Sequence, residues 1–252
     1  MQNTLKRKLA RGETAIGTWI SSGSPNVVDM LRGLPFDWFL FDMEHSTIGI
    51  ETVGRMIQVL NGSPATPLVR VGQVDQALFK VVLDSGAHGL VVPLVNTPEE
   101  AERAVSFCKY PPVGVRGVAA AKASDYGLSL ANYIRTANDE TMVIAQIETP
   151  QAVQNIAEIA SVRGVDMAFV GPTDLTMTMG LLDDRSNPRV AEAMVAVVKA
   201  CREAGKPAGV MAATLDEARL AVERGFRFVS LGTDMRLTTM GARSFLEAVG
   251  RK

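Results

Sequence analysis

Eight short apolar runs, each followed by a segment of helical periodicity, constrain the fold of this chain more than any other feature. Their Val, Ile and Leu content indicates buried strands, and strands that alternate with helices favour parallel pairing. The predicted strands cover residues 15–21, 38–43, 67–71, 88–95, 142–147, 166–170, 207–211 and 228–231. Eight such units in 252 residues predict an α/β fold, a single (β/α)8 TIM barrel that occupies residues 1–252 as one domain.

The predicted helices fill the spaces between these strands. They cover residues 25–33, 50–60, 75–85, 98–108, 130–137, 150–160, 188–204, 215–224 and 234–249, and a longer loop rich in Pro, Gly and Val covers 109–123. A doubly wound sheet is the competing fold, but it usually has fewer strands and a glycine fingerprint after the first strand. Gly17 and Gly23 do not form that GxGxxG pattern. The barrel is therefore the preferred prediction.

Composition narrows the class of protein. A hydrophobic content of 47% is typical of a globular chain, and a net charge of −1 without a basic block argues against nucleic-acid binding. The apolar runs are too short to span a bilayer, and the polar start of the chain lacks the apolar core of a signal peptide. We therefore expect a cytoplasmic protein with no membrane partner, in which Cys108 and Cys201 are buried free thiols. With two histidines in all, a zinc site built from several histidines is excluded.

Polar side chains concentrate at the carboxyl ends of the predicted strands, where barrel enzymes place their active sites. The residues expected at this rim are Trp19, Asp42, Glu44, His45, Arg70, Gln146, Glu148, Gly171, Pro172, Thr173, Asp174, Met211 and Gly232. The amino-terminal ends of the strands carry few polar residues. This asymmetry predicts an enzyme, and a barrel that only binds a ligand is the alternative.

Glu148 and Asp174 end adjacent strands, which lie about 5 Å apart in a sheet. Two carboxylates that close repel each other unless one is protonated or a cation lies between them. All-oxygen ligation selects Mg²⁺ or Mn²⁺, with Co²⁺ as a further candidate, and two protein ligands leave positions open for substrate. The alternatives are that Asp174 or Thr149 caps the next helix, or that the two acids cleave a glycoside as an acid–base pair.

Free N–H groups of residues 171–173 could hold a substrate carboxylate or belong to an ordinary glycine turn.

His45 and Arg70 are the other candidates for chemistry at this rim. His45 is the one plausible neutral base there at pH 7, whereas His88 begins the fourth strand on the opposite rim and is expected to be structural. Arg70 ends an apolar strand and suits a carboxylate or a developing oxyanion. An ion pair with Asp42 or Glu44 is the alternative for Arg70.

Six motifs in chain order resemble the HpcH/HpaI aldolase family, which comprises class II, metal-dependent pyruvate aldolases. The motifs are Gly17-Thr18-Trp19, Phe41-Asp42-Met43-Glu44-His45, Leu68-Val69-Arg70-Val71, Tyr110-Pro111-Pro112-Val113-Gly114-Val115-Arg116-Gly117, Gln146-Ile147-Glu148-Thr149 and Phe169-Val170-Gly171-Pro172-Thr173-Asp174-Leu175. Each motif is modest alone, but six in order at barrel spacing are specific. The resemblance extends over nearly the whole chain and implies a barrel of the phosphoenolpyruvate/pyruvate type.

The resemblance also implies roles for the acids and the histidine. Glu148 and Asp174 would be the metal ligands. His45 would serve the catalytic base through a metal-bound water, with Asp42 and Asp84 as supporting acids.

The remaining roles implied by the resemblance concern the substrate. Arg70 would stabilise the enolate and the aldehyde oxygen. The candidates for substrate binding are Trp19, Gln146, Gly171, Pro172, Thr173 and Met211. Two departures from the family pattern are expected to line the aldehyde pocket. One is the loop 119–123, where the family often has an arginine near Lys122, and the other is Met211, where many members have a leucine.

The resemblance therefore implies a metal-dependent carbon–carbon lyase that cleaves or forms 4-hydroxy-2-oxo acids, with pyruvate or hydroxypyruvate as enolate donor and an aldehyde as acceptor. An oxaloacetate decarboxylase or an acyl-CoA ester lyase would use the same chemistry and is the alternative. A Schiff-base aldolase would need a lysine inside the barrel, and the lysines fall on predicted helices and loops.

The resemblance implies a homo-oligomer, specifically a hexamer. The apolar helix at 234–249 fits either barrel packing or a subunit contact.

Overall fold

The computed structural model describes residues 2–182 and 184–251. In that part of the chain, eight parallel strands close into a barrel in the order β1 to β8. The strands are β1 (Ala15–Ile20), β2 (Trp38–Asp42), β3 (Thr66–Arg70), β4 (Gly89–Val92), β5 (Met142–Ile147), β6 (Met167–Val170), β7 (Ala208–Ala212) and β8 (Phe228–Thr233). The predicted (β/α)8 barrel is confirmed, and each predicted strand is present with ends that differ by three residues or fewer.

The helices surround the barrel. They are α1 (Thr4–Ala10), α2 (Pro25–Leu31), α3 (Ile50–Val59), α4 (Gln76–Asp84), α5 (Pro98–Cys108), α6 (Leu130–Glu140), α7 (Pro150–Gln154), α8 (Ile156–Ser161), α9 (Pro172–Thr178), α10 (Pro188–Glu203), α11 (Leu215–Glu223) and α12 (Asp234–Ala248). Two of them, α1 and α9, lie where the sequence predicted no helix. The helix predicted at 150–160 is divided into α7 and α8 at Asn155.

Helix α1 closes the amino-terminal end of the barrel. The Asn3 side chain caps it by accepting a hydrogen bond from the Lys6 N–H at 3.0 Å. Leu5 and Leu9, one turn apart, are buried in the same apolar cluster as Trp38 of the barrel interior. A helix of seven residues is too short for its periodicity to stand out, which is why it was not predicted.

Aromatic side chains fill the barrel interior beneath the carboxyl-terminal rim. Trp38 stacks on Phe228 with ring centroids 4.0 Å apart, and Phe228 meets Phe169 edge-on at 5.9 Å. Phe169 in turn lies 5.7 Å from Trp19. Gly17 lies against Trp38, where a Cβ would stand 2.1 Å from the indole ring. Aromatic contacts of this kind stabilise the fold by about 1 kcal/mol each beyond the burial of their apolar area. The aromatic floor of the barrel, formed by Trp19, Trp38, Phe169 and Phe228, therefore supports the rim.

The strand register brings polar side chains to one level at this rim. Asp42, the last residue of β2, pairs with Arg70, the last residue of β3. Gln146 of β5 pairs with Phe169 of β6, so that Glu148 and the segment 171–174 follow on adjacent strands. In a parallel barrel the carboxyl ends of the strands share one face, and side chains far apart in sequence therefore meet there.

Helix α12 leaves the barrel after its first turn. Its one buried residue is Asp234, and each residue from 238 to 248 is exposed to solvent. Phe245 is 80% exposed. Of the two predicted roles for this helix, barrel packing is therefore limited to the first turn. Neither α12 nor another helix in the described residues combines the length and the apolar character needed to cross a membrane.

Candidate active site

A cavity of about 310 Å³ opens at the carboxyl ends of the strands. Its wall is formed by Trp19, Ser21, Asp42, His45, Arg70, Gln146, Phe169, Gly171, Pro172, Thr173, Asp174, Met211, Thr233 and Met235. The cavity thus brings together most of the residues that the sequence singled out at this rim. Phe169 and Trp19 connect it to the aromatic floor below.

Arg70 is held on three sides. Its Nε and Nη2 donate to the two Asp42 carboxylate oxygens at 2.9 and 2.8 Å. Nη1 lies 2.9 Å from Glu44 Oε2, and the guanidinium carbon stands 4.3 Å above the Trp19 ring. Arg70 is 6% exposed, so these charge-assisted contacts act in a largely dry environment. The sequence left open whether Arg70 pairs with Asp42 or with Glu44, and the structure contains both ion pairs.

Asp42 also shapes the turn that carries His45. Its Oδ1 accepts hydrogen bonds from the backbone N–H groups of Glu44 and His45 at 3.1 and 3.3 Å. The His45 side chain is 63% exposed, and its Nε2 lies 3.8 Å from Glu44 Oε2. The imidazole therefore projects into the open mouth of the cavity while its backbone is anchored.

Glu148 is fixed through both carboxylate oxygens. Oε1 accepts a hydrogen bond from the Leu94 N–H at 2.9 Å, and Oε2 accepts one from Gln146 Nε2 at 2.6 Å. Gly171 packs directly against this pair, because a Cβ there would lie 3.1 Å from Glu148 Oε2 and 3.3 Å from Gln146 Nε2. Glycine at 171 thus makes room for the carboxylate, and a side chain would displace it.

Negative charge is in excess around Glu148. Burial raises the pKa of Glu148 above its ordinary value, and the charges of Asp174 and Glu44 raise it further. Burial also raises the pKa of Glu44, against the opposing effect of Arg70. A divalent cation beside these carboxylates would relieve both the repulsion and the cost of burying charge, so the residues present fit a metal ion.

The protein would supply few of the ligands to such an ion. Within residues 2–182 and 184–251, no group of three or more His, Cys, Asp or Glu side chains is arranged to hold a metal. Glu148 and Asp174 are the two carboxylates that follow β5 and β6. A pair of oxygen ligands leaves positions open for substrate, which is the arrangement of a catalytic site.

Helix capping removes one alternative for Asp174. The residue at the N-cap of α9 is Gly171, which makes no side-chain cap, and Asp174 lies in the first turn. Thr149, by contrast, caps α7 by accepting a hydrogen bond from the Ala152 N–H at 3.1 Å. The capping interpretation therefore applies to Thr149, and Asp174 is left to face the cavity.

Asp84 lies outside this cavity. It is the last residue of α4, which returns the chain to the amino-terminal rim ahead of β4. Its Oδ1 accepts a hydrogen bond from Arg116 Nη2 at 2.7 Å, and Arg116 also bonds the Tyr133 hydroxyl at 3.1 Å. Within one chain, Asp84 and His45 are thus at opposite ends of the barrel.

Lys122 is likewise absent from the wall of the cavity, whereas Met211 lines it. Lys122 lies in a short 3-10 turn, and its Nζ reaches Asn61 Oδ1 at 3.3 Å. Its stem is near Gly86, just before β4. The expectation that Lys122 lines the aldehyde pocket is therefore not met within a single chain.

Several wall residues carried no assigned role in the sequence. Ser21 follows β1, Thr233 ends β8 and Met235 lies in the first turn of α12, and their polar or apolar character alone gave no signal. Asp234, which is 2% exposed, ties the segment after β1 to the start of α12 by accepting hydrogen bonds from the Ser21 N–H at 2.9 Å and from the Ser22 hydroxyl. The one signal for this anchor in the sequence is an acidic residue at the start of the last predicted helix.

Comparison with known proteins relates the chain to a set of enzymes. A family model described as HpcH/HpaI aldolase/citrate lyase matches residues 15–240. The 4-hydroxy-2-oxo-heptane-1,7-dioate aldolase of Shigella sonnei (strain Ss046) is 36% identical over 252 residues, which is 99% of this chain and 96% of that protein.

Solved structures agree with this relation. An HpcH/HpaI aldolase/citrate lyase family protein from Burkholderia cenocepacia J2315 superposes with a TM-score of 0.95 at 34% identity, covering 98% of this chain and 99% of its own. The citrate synthase SbnG superposes with a TM-score of 0.87 at 26% identity, covering 97% of this chain and 96% of its own. Macrophomate synthase gives 0.85 at 25% identity, with 97% and 88% covered. Proteins with different activities thus share this barrel.

Proposed function

The chain belongs to the HpcH/HpaI aldolase/citrate lyase family and is a carbon–carbon lyase, and from this membership we propose that it is a metal-dependent class II aldolase. Its reaction would be the cleavage and formation of 4-hydroxy-2-oxo acids, with pyruvate or hydroxypyruvate as enolate donor. The observation that carries this proposal is that His45, Arg70 and Asp174 line one cavity. Glu148 does not line that cavity but lies just behind its wall, where it is bonded to Gln146 and feels the charge of Asp174.

Glu148 and Asp174 would hold the divalent cation, Mg²⁺ or Mn²⁺ with Co²⁺ as a further candidate. Bound there, the cation would act as a Lewis acid that polarises the oxo group of a 2-oxo acid. Gln146 keeps the Glu148 carboxylate in position, and its amide has a second N–H with which to contact the oxo acid. Because Pro172 lacks an N–H, the backbone amides of Thr173 and Asp174 at the start of α9 are the donors suited to the substrate carboxylate.

Arg70 would stabilise the negative charge that develops on oxygen during the reaction. Both terminal nitrogens of Arg70 already contact a carboxylate, Asp42 or Glu44. Because each of these nitrogens carries two N–H groups, donors are left for substrate. The Trp19 ring beneath it limits movement of the guanidinium. A donor held in place before the oxyanion forms costs no reorganisation during the reaction.

His45 would move the proton. In cleavage the base accepts the proton of the 4-hydroxyl group, the C3–C4 bond breaks, and its electron pair becomes the enolate while an aldehyde leaves. In synthesis the base removes a proton from the pyruvate methyl group, and the enolate carbon forms the new bond to the aldehyde carbon. The exposed position of the imidazole at the cavity mouth suits exchange of that proton with solvent.

The Schiff-base alternative receives no support from the lysines. In the described part of the chain no strand contains a lysine, and none lines the cavity. Lys109, the buried lysine, donates through Nζ to the carbonyls of Asn138 and Thr141, both at 2.6 Å. These bonds tie it to the amino-terminal side of the barrel.

Assembly into a homo-oligomer, specifically a hexamer, is part of the proposal. One observation favours contact between copies: α12 exposes Met240, Phe245 and Leu246 to solvent. An apolar helix without an intrachain partner is suited to subunit contact. If Asp84 supports catalysis, it would do so at the site of another copy.

An assay with metal-reconstituted protein tests the function. Purified protein is stripped with EDTA, reloaded with Mg²⁺, Mn²⁺ or Co²⁺, and supplied with pyruvate and a panel of aldehydes, with the 4-hydroxy-2-oxo acid product detected by chromatography. We expect activity that disappears with EDTA and survives borohydride in the presence of pyruvate. Covalent trapping by borohydride, with activity that persists in EDTA, would refute the proposal. Parallel assays with oxaloacetate and an acyl-CoA ester check the two alternative activities.

A further inference from the structure

Leu94, in the loop between β4 and α5, has a backbone conformation that leucine rarely adopts. Its φ is 52°, in the left-handed region where a Cβ atom crowds the following carbonyl oxygen. The side chain is 54% exposed, so its burial does little to offset this cost. A strained backbone persists only where surrounding contacts hold it, and such residues concentrate at functional sites. The contacts of Leu94 therefore indicate what its conformation serves.

The Leu94 N–H is directed at the Glu148 carboxylate. It donates to Glu148 Oε1 at 2.9 Å, while Gln146 Nε2 donates to the other oxygen at 2.6 Å. Other non-glycine residues with a positive φ in the described ranges are Asp125, Tyr126 and Leu182. Within residues 2–182 and 184–251, none of these donates its N–H to a carboxylate. The left-handed conformation at Leu94 is thus distinguished by its acid partner.

Asn96 fastens this loop to the end of β5. Its side-chain nitrogen donates to the Leu94 carbonyl at 2.9 Å, and its side-chain oxygen accepts a hydrogen bond from the Thr149 hydroxyl. Asn155 Nδ2 donates to the Asn96 carbonyl at 2.8 Å, and the Asn96 N–H donates to Glu100 Oε2 at 2.7 Å. The loop is therefore tied both to the segment that follows Glu148 and to the first turn of α5.

These contacts leave Glu148 able to bind a cation. A carboxylate offers about four lone-pair sites, and the two donors occupy one on each oxygen. Hydrogen bonds from N–H donors favour the charged carboxylate, which is the form that binds a cation. Because the two bonds also fix the plane of the carboxylate, its free lone pairs are oriented before an ion arrives.

We propose that Leu94 is a positioning residue, whose left-handed backbone keeps an N–H on Glu148 Oε1 and so orients this carboxylate for the divalent cation. Asn96 keeps Leu94 in that conformation. Both residues act through Glu148 and touch neither substrate nor cation. This inference rests on the proposed metal-dependent function and adds to it the loop that orders one of the metal ligands.

Substitutions at position 94 separate the role of the backbone from that of the side chain. Valine is branched at Cβ and resists a positive φ, so the N–H should leave Glu148 in Leu94→Val. Isothermal titration of the EDTA-treated variant should then show Mn²⁺ binding weaker by about tenfold or more. Glycine adopts a positive φ freely and asparagine tolerates it, so Leu94→Gly and Leu94→Asn should bind Mn²⁺ within about threefold of the native protein.

Leu182→Val is the matched control. Leu182 has a φ of 51° and an exposed side chain in the turn after α9, and it makes no contact with Glu148. The same substitution should lower Tm of the metal-free protein at either position, because the backbone conflict is the same. Mn²⁺ affinity should fall at position 94 and stay native at position 182. Asn96→Ala, which removes the bond to the Leu94 carbonyl, should weaken Mn²⁺ binding in the same direction as Leu94→Val.

The outcomes distinguish this inference from the proposed function. Native Mn²⁺ affinity in Leu94→Val, an equal loss of affinity in Leu94→Gly, or an equal loss in Leu182→Val would overturn the positioning role alone. Native affinity in Asn96→Ala would overturn the part assigned to Asn96. A native protein that does not bind Mn²⁺ would overturn the proposed metal site and the positioning role with it.

Discussion

The Arg70 guanidinium donates two parallel hydrogen bonds to the Asp42 carboxylate, from Nε at 2.9 Å and from Nη2 at 2.8 Å. The two residues end neighbouring strands and face each other in the ladder. Glu44 adds a third contact to Nη1 at 2.9 Å. These three contacts together require the planar guanidinium group of arginine, and a positive charge alone could not make them.

Replacing Arg70 by Lys tests this requirement. An ammonium cannot satisfy both Asp42 oxygens and Glu44 while also meeting the substrate, so we expect kcat to fall by about 100-fold or more. Circular dichroism should remain native, because a cation is still present beside Asp42. The control is Arg55→Lys at an exposed ion pair of α3, which should leave kcat unchanged. Retention of most activity in Arg70→Lys would mean that charge alone suffices.

Replacing Glu148 by Gln should have opposite effects on metal binding and on the stability of the metal-free protein. Burial raises the pKa of Glu148, and a raised carboxyl pKa favours the protonated form in the fold. The associated stability is present at low pH and is lost as pH rises through the raised pKa, so the ionised group is a burden at pH 7. Glu148→Gln should therefore raise Tm of the EDTA-treated protein at pH 7, by less at pH 4.

The same variant should lose the response to metal. Isothermal titration with Mn²⁺ is expected to show at least about tenfold weaker binding, and addition of Mn²⁺ should no longer raise Tm. Unchanged Mn²⁺ affinity would place the metal elsewhere. Glu99→Gln, an exposed acid in the first turn of α5, is the control and should bind Mn²⁺ as the native protein does.

Replacing His45 by Gln should separate catalysis from folding. The side chain is largely exposed and makes no side-chain hydrogen bond in the described structure, so the free energy of unfolding should change by less than about 0.5 kcal/mol. Loss of the base should lower kcat by about 100-fold or more. His88→Gln, at the opposite rim, should leave kcat near the native value. Steady-state kinetics of both variants decide the point, and unchanged kcat in His45→Gln would remove this residue from the mechanism.

His88 should make the fold sensitive to acid. Burial lowers its pKa from 6.5 to about 4, so the neutral imidazole is favoured in the folded state. The stability linked to this shift is present above pH 6.5 and is lost as pH falls through about 4. In His88→Gln, urea unfolding at pH 7, 5.5 and 4.5 should therefore show a smaller decline than in the native protein. An unchanged decline in His88→Gln would contradict the assignment.

Charge on the exposed face of α12 should disrupt assembly. Phe245→Glu combined with Leu246→Glu places two carboxylates where we expect an apolar subunit contact, and size-exclusion chromatography with light scattering should report a smaller species. Val195→Glu, on the exposed side of α10, is the control and should keep the native mass. A native protein that is already monomeric would refute the proposed hexamer.

The sequence by itself determined the architecture and the membership of the rim. Apolar runs and helical periodicity are local properties, so they identified eight strand–helix units, and parallel closure then put Glu148, Asp174, Arg70 and His45 on one face. Helix α9 was not predicted because it has only seven residues and begins just after β6. Helix α1 was not predicted because seven residues make about two turns, which is too few to show a clear helical periodicity.

The tertiary structure decided which of these residues touch. Whether Arg70 would pair with Asp42 or with Glu44 depends on strand register and side-chain direction, which periodicity does not encode, and the fold brings it to both. The separation of Asp84 from His45, the exposure of α12 and the contact of Leu94 with Glu148 depend on the packing of whole elements. Local patterns specify what each segment becomes, whereas contacts between segments follow only from the closed barrel.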